Sequence, residues 1–134
     1  MNSRRWRAVA ASGLAAWALT SHVPLAAHHS SAEAYDSTKS VEAQGTITKV
    51  LFKNPHSFVF VESTDPQGQK VEWQIELGAI SSMTRAGWTK EMLAPGMVVK
   101  VAGIPSRAPG SHGITNARFT KQDGTPIGPA RGAQ

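Results

Sequence analysis

The sequence predicts an all-β domain in which five short strands close into a barrel and one short helix lies between the third and fourth strands. Five stretches of β character follow one another along residues 41–121, and residues that favour turns separate them. The apolar spacing changes from two residues to three only after the third of these stretches. Five strands with one helix in that place have the layout of an oligonucleotide/oligosaccharide-binding (OB) barrel, whose closure removes exposed strand edges. An antiparallel sandwich and an α+β sheet are the alternatives.

The first three strands are predicted to form an antiparallel meander. The first strand covers about residues 41–52, and Gly45 interrupts it where a small barrel would bend or bulge. The second strand, residues 56–62, follows an Asn-Pro turn and is apolar on both faces, so it is either buried or offers one face to a ligand. The third strand, residues 71–77, alternates between apolar positions in the core and polar positions outside. Its polar positions are Glu72, Gln74 and Glu76.

A short helix is predicted over residues 78–87. Its apolar residues lie three apart, Ser81 or Ser82 is the expected N-cap, and Gly87 is expected at the C′ position. A second helical turn is expected at residues 89–93, just before a Pro-Gly pair that stops it.

Two further strands complete the predicted barrel. They cover residues 97–104 and 114–121, and a loop rich in Pro, Gly and Ser joins them. The apolar side of the last strand is expected to carry Thr115, Ala117 and Phe119. The remaining residues, 122–134, are rich in Gly and Pro and predict a flexible tail.

The first 27 residues have the three-part pattern of a secretory signal peptide. A cationic head of three arginines precedes an apolar run over residues 8–19, and the small residues Ala26 and Ala27 close the segment. The apolar run is shorter than the roughly 20 residues that an anchored membrane helix needs, and an uncleaved anchor is the alternative. We therefore expect a periplasmic protein that meets the membrane only during export. Its parts are a signal peptide (1–27), an N-terminal arm (28–40), the barrel (41–121) and the tail (122–134).

Removal of the signal peptide changes what the charge predicts. The whole chain has 14 Lys and Arg residues against nine Asp and Glu residues. Three of the basic residues and none of the acidic ones lie in the first 27, so the mature chain carries 11 against nine and a formal charge of only +2. Much of the basicity belongs to the export signal, and nucleic acid is not expected as a partner. Because the sequence has no cysteine, disulfides, thiolate metal sites and cysteine nucleophiles are excluded.

Four histidines follow the signal peptide, and all four are expected to lie near one region of an OB barrel. His56 and His112 lie in the loops that join strands 1 to 2 and strands 4 to 5, which border the ligand face of this fold. His28 and His29 lie on an arm long enough to fold back across the barrel mouth. Imidazole is a common ligand of Zn, Cu and Ni. We therefore predict a copper site formed by His28, His29 and His56, with His112 as a candidate fourth ligand.

The cleavage position decides the form of this copper site. If His28 is the first residue, its free amine and ring can chelate one ion, and His56 would complete a brace-like site. If Ala27 is first, His29 becomes the third residue, and the amine, two backbone nitrogens and the imidazole can wrap a square-planar Cu(II) or Ni(II) ion. The residue three positions before the cut favours His28 as the first residue. Both forms need a free N-terminus.

The alternative is a protein-interaction or envelope-stress module in which the histidines are structural. His56 would then only fix its turn, and a ligand or an unknown periplasmic protein would bind a face formed by the region of Phe58, Phe60 and Trp88 or by strand 3. The residues proposed for this face are Phe58, Phe60, Glu72, Gln74, Glu76 and Trp88. Trp73 shares a strand face with apolar residues and is assigned to the core. The sequence has no nucleophile elbow, phosphate loop or Ser-His-Asp set, so we predict a non-enzymatic protein with no catalytic residues.

Several short motifs occur in an order that resembles one protein family. They are His28-His29-Ser30, Tyr35-Asp36, Gly45-Thr46-Ile47, Asn54-Pro55-His56-Ser57, Trp73-Gln74-Ile75-Glu76, Arg85-Ala86-Gly87-Trp88-Thr89 and Ala94-Pro95-Gly96. Together they span nearly the whole mature chain, which is similar to a family of small exported proteobacterial proteins of unknown function, the DUF6152 type. The resemblance implies a periplasmic location and a shared OB-like barrel, and it implies no activity.

Overall fold

The structure, a computed structural model, describes residues 31–129 of the chain. In chain order its elements are α1 (Ser31–Ala34), β1 (Val41–Leu51), β2 (Ser57–Thr64), β3 (Lys70–Leu77), α2 (Ile80–Arg85), a 3₁₀ helix (Lys90–Met92), β4 (Val98–Pro105), β5 (Gly113–Thr120) and β6 (Pro126–Ile127). The five predicted strands and both predicted helical turns are present, and their ends differ from the predicted ones by one or two residues. Within residues 31–129, no helix has the length and apolar character needed to cross a membrane.

Strands β1 to β5 form a closed barrel. Neighbouring strands are hydrogen-bonded in the order β3-β2-β1-β4-β5, and every pair in that series is antiparallel. A short parallel pairing closes the barrel, in which Gln74 and Ile75 of β3 lie beside Gly113 and Ile114 of β5. The helix α2 lies between β3 and β4 in the chain. The prediction of a five-stranded OB-like barrel with one short helix in this position is confirmed.

Side chains that alternate along the strands fill the barrel interior. Ser57, Val59 and Val61 of β2 and Ile75 of β3 are almost completely buried. The same core contains Ala43, Ile47, Leu93, Val99, Val101, Ile114 and Phe119. Trp73 packs against this core, as predicted. Because successive side chains of a strand point to opposite faces, the intervening residues of β2 and β3 point out of the barrel.

Gly45 marks a close approach between two strands. A Cβ atom at this position would lie 2.1 Å from the carbonyl oxygen of Glu62, so only glycine lets β1 pass this close to β2. The register of the β1–β2 ladder shifts between Ile47 and Lys49. The predicted irregularity in β1 is therefore present, and its bulge lies just beyond the glycine.

The start of α2 differs from the prediction. The N-cap position is occupied by Ala79, which has no side-chain hydrogen bond to the helix, so neither Ser81 nor Ser82 is the cap. The backbone N–H of Ile80 donates instead to the side-chain oxygen of Asn54, at 3.1 Å. The cap is thus supplied by a residue of the β1–β2 turn rather than by the helix segment itself.

The end of α2 agrees with the prediction. Gly87 has a φ of 87° and follows the C-cap residue Ala86. Its N–H donates to the carbonyl oxygen of Thr84, and the N–H of Trp88 donates to that of Met83, both at 3.0 Å. This pair of bonds is the Schellman motif, in which glycine takes the left-handed conformation at low cost.

The inward side of β5 differs from the predicted side at its start. Ile114 and Phe119 are both buried although they lie five positions apart, a spacing that places side chains on opposite faces of a regular strand. Asn116 has a φ of 48°, and the ladder with β4 shifts register in this region. The bulge therefore turns Ile114 inward where Thr115 was expected.

The segment after β5 also differs from the expected flexible tail. Pro126 and Ile127 form β6, which pairs with Thr120 and Phe119 of β5. The N–H of Lys121 donates to the carbonyl oxygen of Thr125 at 2.8 Å and closes the turn between the two strands. Ile127 packs against the core. A sixth strand therefore extends the sheet within the part of the tail that the structure describes.

Candidate functional site

The outward sides of β2 and β3 form one surface. Phe58 lies opposite Glu76 and Phe60 lies opposite Gln74 in the antiparallel ladder. Glu72 continues this row towards the start of β3, and all five side chains point away from the core. We call this surface the outer face. Five of the six residues that the sequence proposed for a partner face therefore lie together on it.

Two lysines border the outer face on the side of β1. The Lys53 ammonium lies 5.3 Å from the centroid of the Phe58 ring, and the Lys49 ammonium lies 5.7 Å from that of Phe60. Both distances allow cation–π attraction, which contributes about 0.5–1 kcal/mol at exposed sites. Both phenyl rings are half-buried, and each lies beside a cationic group.

The turn before β2 is fixed at two points and presents one histidine. The Asn54 side chain caps α2, and the buried Ser57 hydroxyl donates to the carbonyl oxygen of Lys53 at 3.3 Å. Between these anchors, the side chain of His56 is 52% exposed. The motif of residues 54–57 thus holds its own backbone in place and projects an imidazole from the rim of the barrel.

Glu76 joins this turn to the N-terminal arm. Its Oε1 lies 2.9 Å from Nδ1 of His56, and its Oε2 accepts a hydrogen bond of 2.5 Å from the Tyr35 hydroxyl. The Glu76 side chain is only 25% exposed, so both contacts are partly shielded from water and are stronger than fully solvated ones. We call Tyr35, His56 and Glu76 the Glu76 cluster.

The arm reaches Glu76 because the loop after β4 holds it. Tyr35 forms an antiparallel bridge with Ser106, and the N–H of Asp36 donates to the carbonyl oxygen of Pro105 at 2.9 Å. Nε of Arg107 donates to the carbonyl oxygen of Tyr35 at 3.0 Å. A second guanidinium nitrogen of the same arginine lies 3.5 Å from the Asp36 carboxylate. Backbone and side-chain contacts therefore fix the arm directly beside the Glu76 cluster.

Two ionisable groups of the arm have shifted pKa values. Burial raises the pKa of the Tyr35 phenol, and the Glu76 carboxylate raises it further, so the phenol is a hydrogen-bond donor at neutral pH. The pKa of Asp36 is lowered to about 2, first by the hydrogen bond from Thr38 and then by that from Lys39. Asp36 is therefore ionised at neutral pH, where it can attract the guanidinium that holds the arm.

His112 lies on the other side of β3. Its ring meets the Trp73 indole edge-on, with 5.0 Å between the ring centroids. Trp73 belongs to the inward side of β3, whereas Glu76, which contacts His56, belongs to the outward side. The two loop histidines therefore contact opposite faces of the same strand.

Of the four histidines predicted as copper ligands, the structure describes His56 and His112, and these two contact opposite faces of β3. His28 and His29 lie outside the described residues. Over residues 31–129, no group of three or more His, Cys, Asp or Glu side chains is arranged to hold a metal ion. The Glu76 cluster supplies one histidine, His56, next to the place where the arm is fixed.

Trp88 is separate from the outer face. Its ring packs against the core and meets the Phe119 ring edge-on, with 6.2 Å between the centroids. A Cβ atom at Gly128 would lie 3.0 Å from the same indole, so the chain after β6 passes closely over it. The structure therefore assigns Trp88 to core packing, apart from the five other residues proposed for the partner face.

Two residues at the site, Tyr35 and Arg107, had no predicted functional role. Tyr35 is the only tyrosine of the chain and stands in an otherwise polar arm, and this isolation is a signal that the ring docks somewhere. Arg107 lies in a loop rich in Pro, Gly and Ser, where no periodicity indicates a contact. Its bonds to the arm follow only from the tertiary arrangement.

Comparison with known protein families places the chain in a family. A family model described as a family of unknown function (DUF6152) matches residues 15–116, which is more than half of the chain. No curated protein and no solved structure matches the chain. All three residues of the Glu76 cluster lie within the matched range.

Proposed function

The chain belongs to the DUF6152 family of unknown function, and we propose that it is an exported, non-enzymatic binding module that binds copper beside the Glu76 cluster. The proposed ligands are His56 and the N-terminal residues His28 and His29, and the proposed location is the periplasm. One observation carries the proposal: Tyr35 of the arm and His56 of the turn contact the two oxygens of the same carboxylate.

The position of Tyr35 supports a short distance between the N-terminal histidines and His56. His28 precedes Tyr35 by seven residues, four of which form α1 and rise only about 1.5 Å each, so the chain between them spans at most about 17 Å. Tyr35 is itself separated from His56 only by the Glu76 carboxylate. This short separation supports a site in which the N-terminal amine and the imidazoles of His28 and His29 lie near His56.

The available donor atoms suit copper. An amine and several imidazole nitrogens favour Cu(II) in a square-planar or tetragonal arrangement, and the chain has no thiolate that would compete for the ion. His112 is not among the proposed ligands, because its ring packs against Trp73 on the opposite side of β3. The proposed site therefore has three histidine ligands and omits the candidate fourth ligand expected from the sequence.

Copper titration of the mature chain tests this function. A chain that begins at His28 is compared with one extended by an N-terminal tag, and His56→Ala is compared with the matched variant His112→Ala. We expect one Cu(II) per processed chain, an affinity lower by about tenfold or more in the tagged chain and in His56→Ala, and no change in His112→Ala. Equal, weak binding by the processed and tagged chains would contradict the proposal.

A second candidate function, a protein-interaction module, is favoured by the outer face. Phe58 and Phe60 lie at its centre, with lysines along one border and the polar side chains of β3 along the other. Aromatic residues surrounded by a polar rim are typical of protein interfaces. In this case the partner is a periplasmic protein and His56 is structural.

Site-specific crosslinking in cells distinguishes this candidate from copper binding. A photoreactive amino acid is placed at Phe60 and, as a control, at the exposed residue Gln44 on β1. A single identified product from position 60 alone, unchanged by His56→Ala, would favour the interaction module. Similar products from both positions would count against it.

A further inference from the structure

The His56 ring uses one of its two nitrogens on Glu76. Nδ1 lies 2.9 Å from Oε1, and an ionised carboxylate only accepts hydrogen bonds. In a neutral imidazole at this position, Nδ1 therefore carries the proton and Nε2 carries the lone pair. Within residues 31–129, no hydrogen bond or ion pair engages Nε2, and the side chain is 52% exposed. The free nitrogen is thus accessible to a ligand from outside.

The Glu76 carboxylate is itself held from the other side. Oε2 accepts the hydrogen bond from the Tyr35 hydroxyl, and the backbone on both sides of Glu76 is fixed in the ladder with β2. Tyr35 is in turn fixed by its bridge with Ser106. The carboxylate therefore cannot turn away from His56 without losing its bond to Tyr35.

We infer that Glu76 is a positioning residue, which fixes His56 in the Nδ1–H tautomer and directs Nε2 outward as a ligand atom for a transition-metal ion. Tyr35 acts through Glu76 and keeps the carboxylate in place. Histidines that bind metal ions commonly donate their second ring nitrogen to a carboxylate, which orients the ring and makes the ligating nitrogen more basic. The identity of the ion, Cu(II), rests on the proposed function, whereas the tautomer does not.

His112 serves as a control within the same molecule. Its ring lies against the Trp73 indole, and no carboxylate of the described residues contacts either of its nitrogens. Its tautomer should therefore follow the preference of an unconstrained histidine, which favours the proton on Nε2.

The inference is tested on the metal-free mature chain labelled with ¹⁵N. Long-range ¹H–¹⁵N spectra, recorded at a pH where the imidazoles are neutral, report the tautomer of each histidine. We expect His56 in the Nδ1–H form and His112 in the Nε2–H form. Glu76→Gln, whose amide donates as well as accepts, should lose this preference at His56 and bind Cu(II) about tenfold or more weakly. Tyr35→Phe should lower the Nδ1–H fraction by less than Glu76→Gln does.

Two results would overturn the inference. One is a wild-type His56 with its proton on Nε2, and this measurement stands even if Glu76→Gln fails to fold. The other is a folded Glu76→Gln variant with wild-type tautomer and wild-type copper affinity. If His56 has the expected tautomer but processed and tagged chains bind Cu(II) equally weakly, the positioning role of Glu76 is supported and the proposed copper function fails.

Discussion

The side-chain oxygen of Asn54 accepts a hydrogen bond of 3.1 Å from the backbone N–H of Ile80, so the turn between β1 and β2 caps the helix α2. The first N–H groups of a helix have no partner within the helix, and Ala79 at the N-cap offers no side-chain acceptor. The same turn carries His56. The cap therefore links the position of the proposed copper ligand to the helix between β3 and β4.

Replacement of Asn54 tests this link. Asn54→Ala leaves the N–H of Ile80 without its acceptor and should lower the free energy of unfolding by about 1 kcal/mol. Asn54→Asp keeps an oxygen acceptor in nearly the same place and should retain most of the stability. Urea denaturation followed by tryptophan fluorescence measures both changes. Equal stability of Asn54→Ala and the wild type would show that the bond does not act as a cap.

The features that the sequence predicted well depend on spacing along the chain. The alternation in β3 placed Trp73 inward and Glu76 outward, because strand geometry alone decides the face of each residue. Gly87 was recognisable as a helix end because few other residues adopt a positive φ at this position. Local rules of this kind were enough to predict the barrel and its helix.

The features that the sequence did not predict depend on contacts between distant segments. The acceptor that caps α2 belongs to a residue 26 positions away. The prediction that a serine beside the helix start is the N-cap was therefore wrong. The bond between Tyr35 and Glu76 joins residues 41 positions apart. His112 was expected beside His56 because both lie in loops at the ligand face, but the direction of its ring is set by packing against Trp73. Side-chain direction in a loop has no periodic signal in the sequence.

A methyl group at Gly45 should disrupt the barrel. The Cβ atom of Gly45→Ala would lie 2.1 Å from the carbonyl oxygen of Glu62, and backbone atoms cannot move aside as a flexible side chain can. We expect a loss of about 3 kcal/mol in the free energy of unfolding. In the control Gly78→Ala, the new Cβ would lie 3.5 Å from its nearest neighbour, in the side chain of Ser82, and the change should stay within about 0.5 kcal/mol. Similar denaturation midpoints for the two variants would contradict the close approach of β1 and β2.

Asp36 should make stability depend on pH in the acidic range. Its pKa in the folded protein, about 2, lies below the ordinary value of 3.8, because Thr38 and then Lys39 donate hydrogen bonds to the carboxylate. As the pH falls, the unfolded chain therefore takes up the proton first. The stabilisation by Asp36 is complete above the unfolded pKa and is lost as the pH falls through about 4 towards 2.

The variant Asp36→Asn isolates this effect. At pH 6 its free energy of unfolding should be lower than that of the wild type. This difference in free energy should be smaller at pH 3, because the wild type loses the stabilisation from ionised Asp36 as the pH falls. Urea denaturation at both pH values measures the difference. Glu42→Gln, at an exposed position of β1, is the control for removing a carboxylate elsewhere. A difference between Asp36→Asn and the wild type that is the same at both pH values would contradict the assigned role of the charge.

Arg107→Ala should loosen the arm while the barrel stays intact. The variant loses the bond from Nε to the Tyr35 carbonyl oxygen and the contact with Asp36, but it keeps the backbone bond of residue 107 to the arm. A hydrogen bond from a charged group contributes about 1.5 kcal/mol at the lower end, and exposure of this side chain reduces it to about 1 kcal/mol. We therefore expect hydrogen exchange at the Asp36 amide to become about fivefold faster. The exchange rate at the core amide of Val59 should not change. Arg118→Ala, at an exposed arginine of β5, should change neither. The bond from Arg107 to the Tyr35 carbonyl oxygen also holds Tyr35 near Glu76. If the exchange rate at Asp36 is unchanged in Arg107→Ala, backbone bonds alone hold the arm. Arg107 would then have no part in placing the arm beside His56.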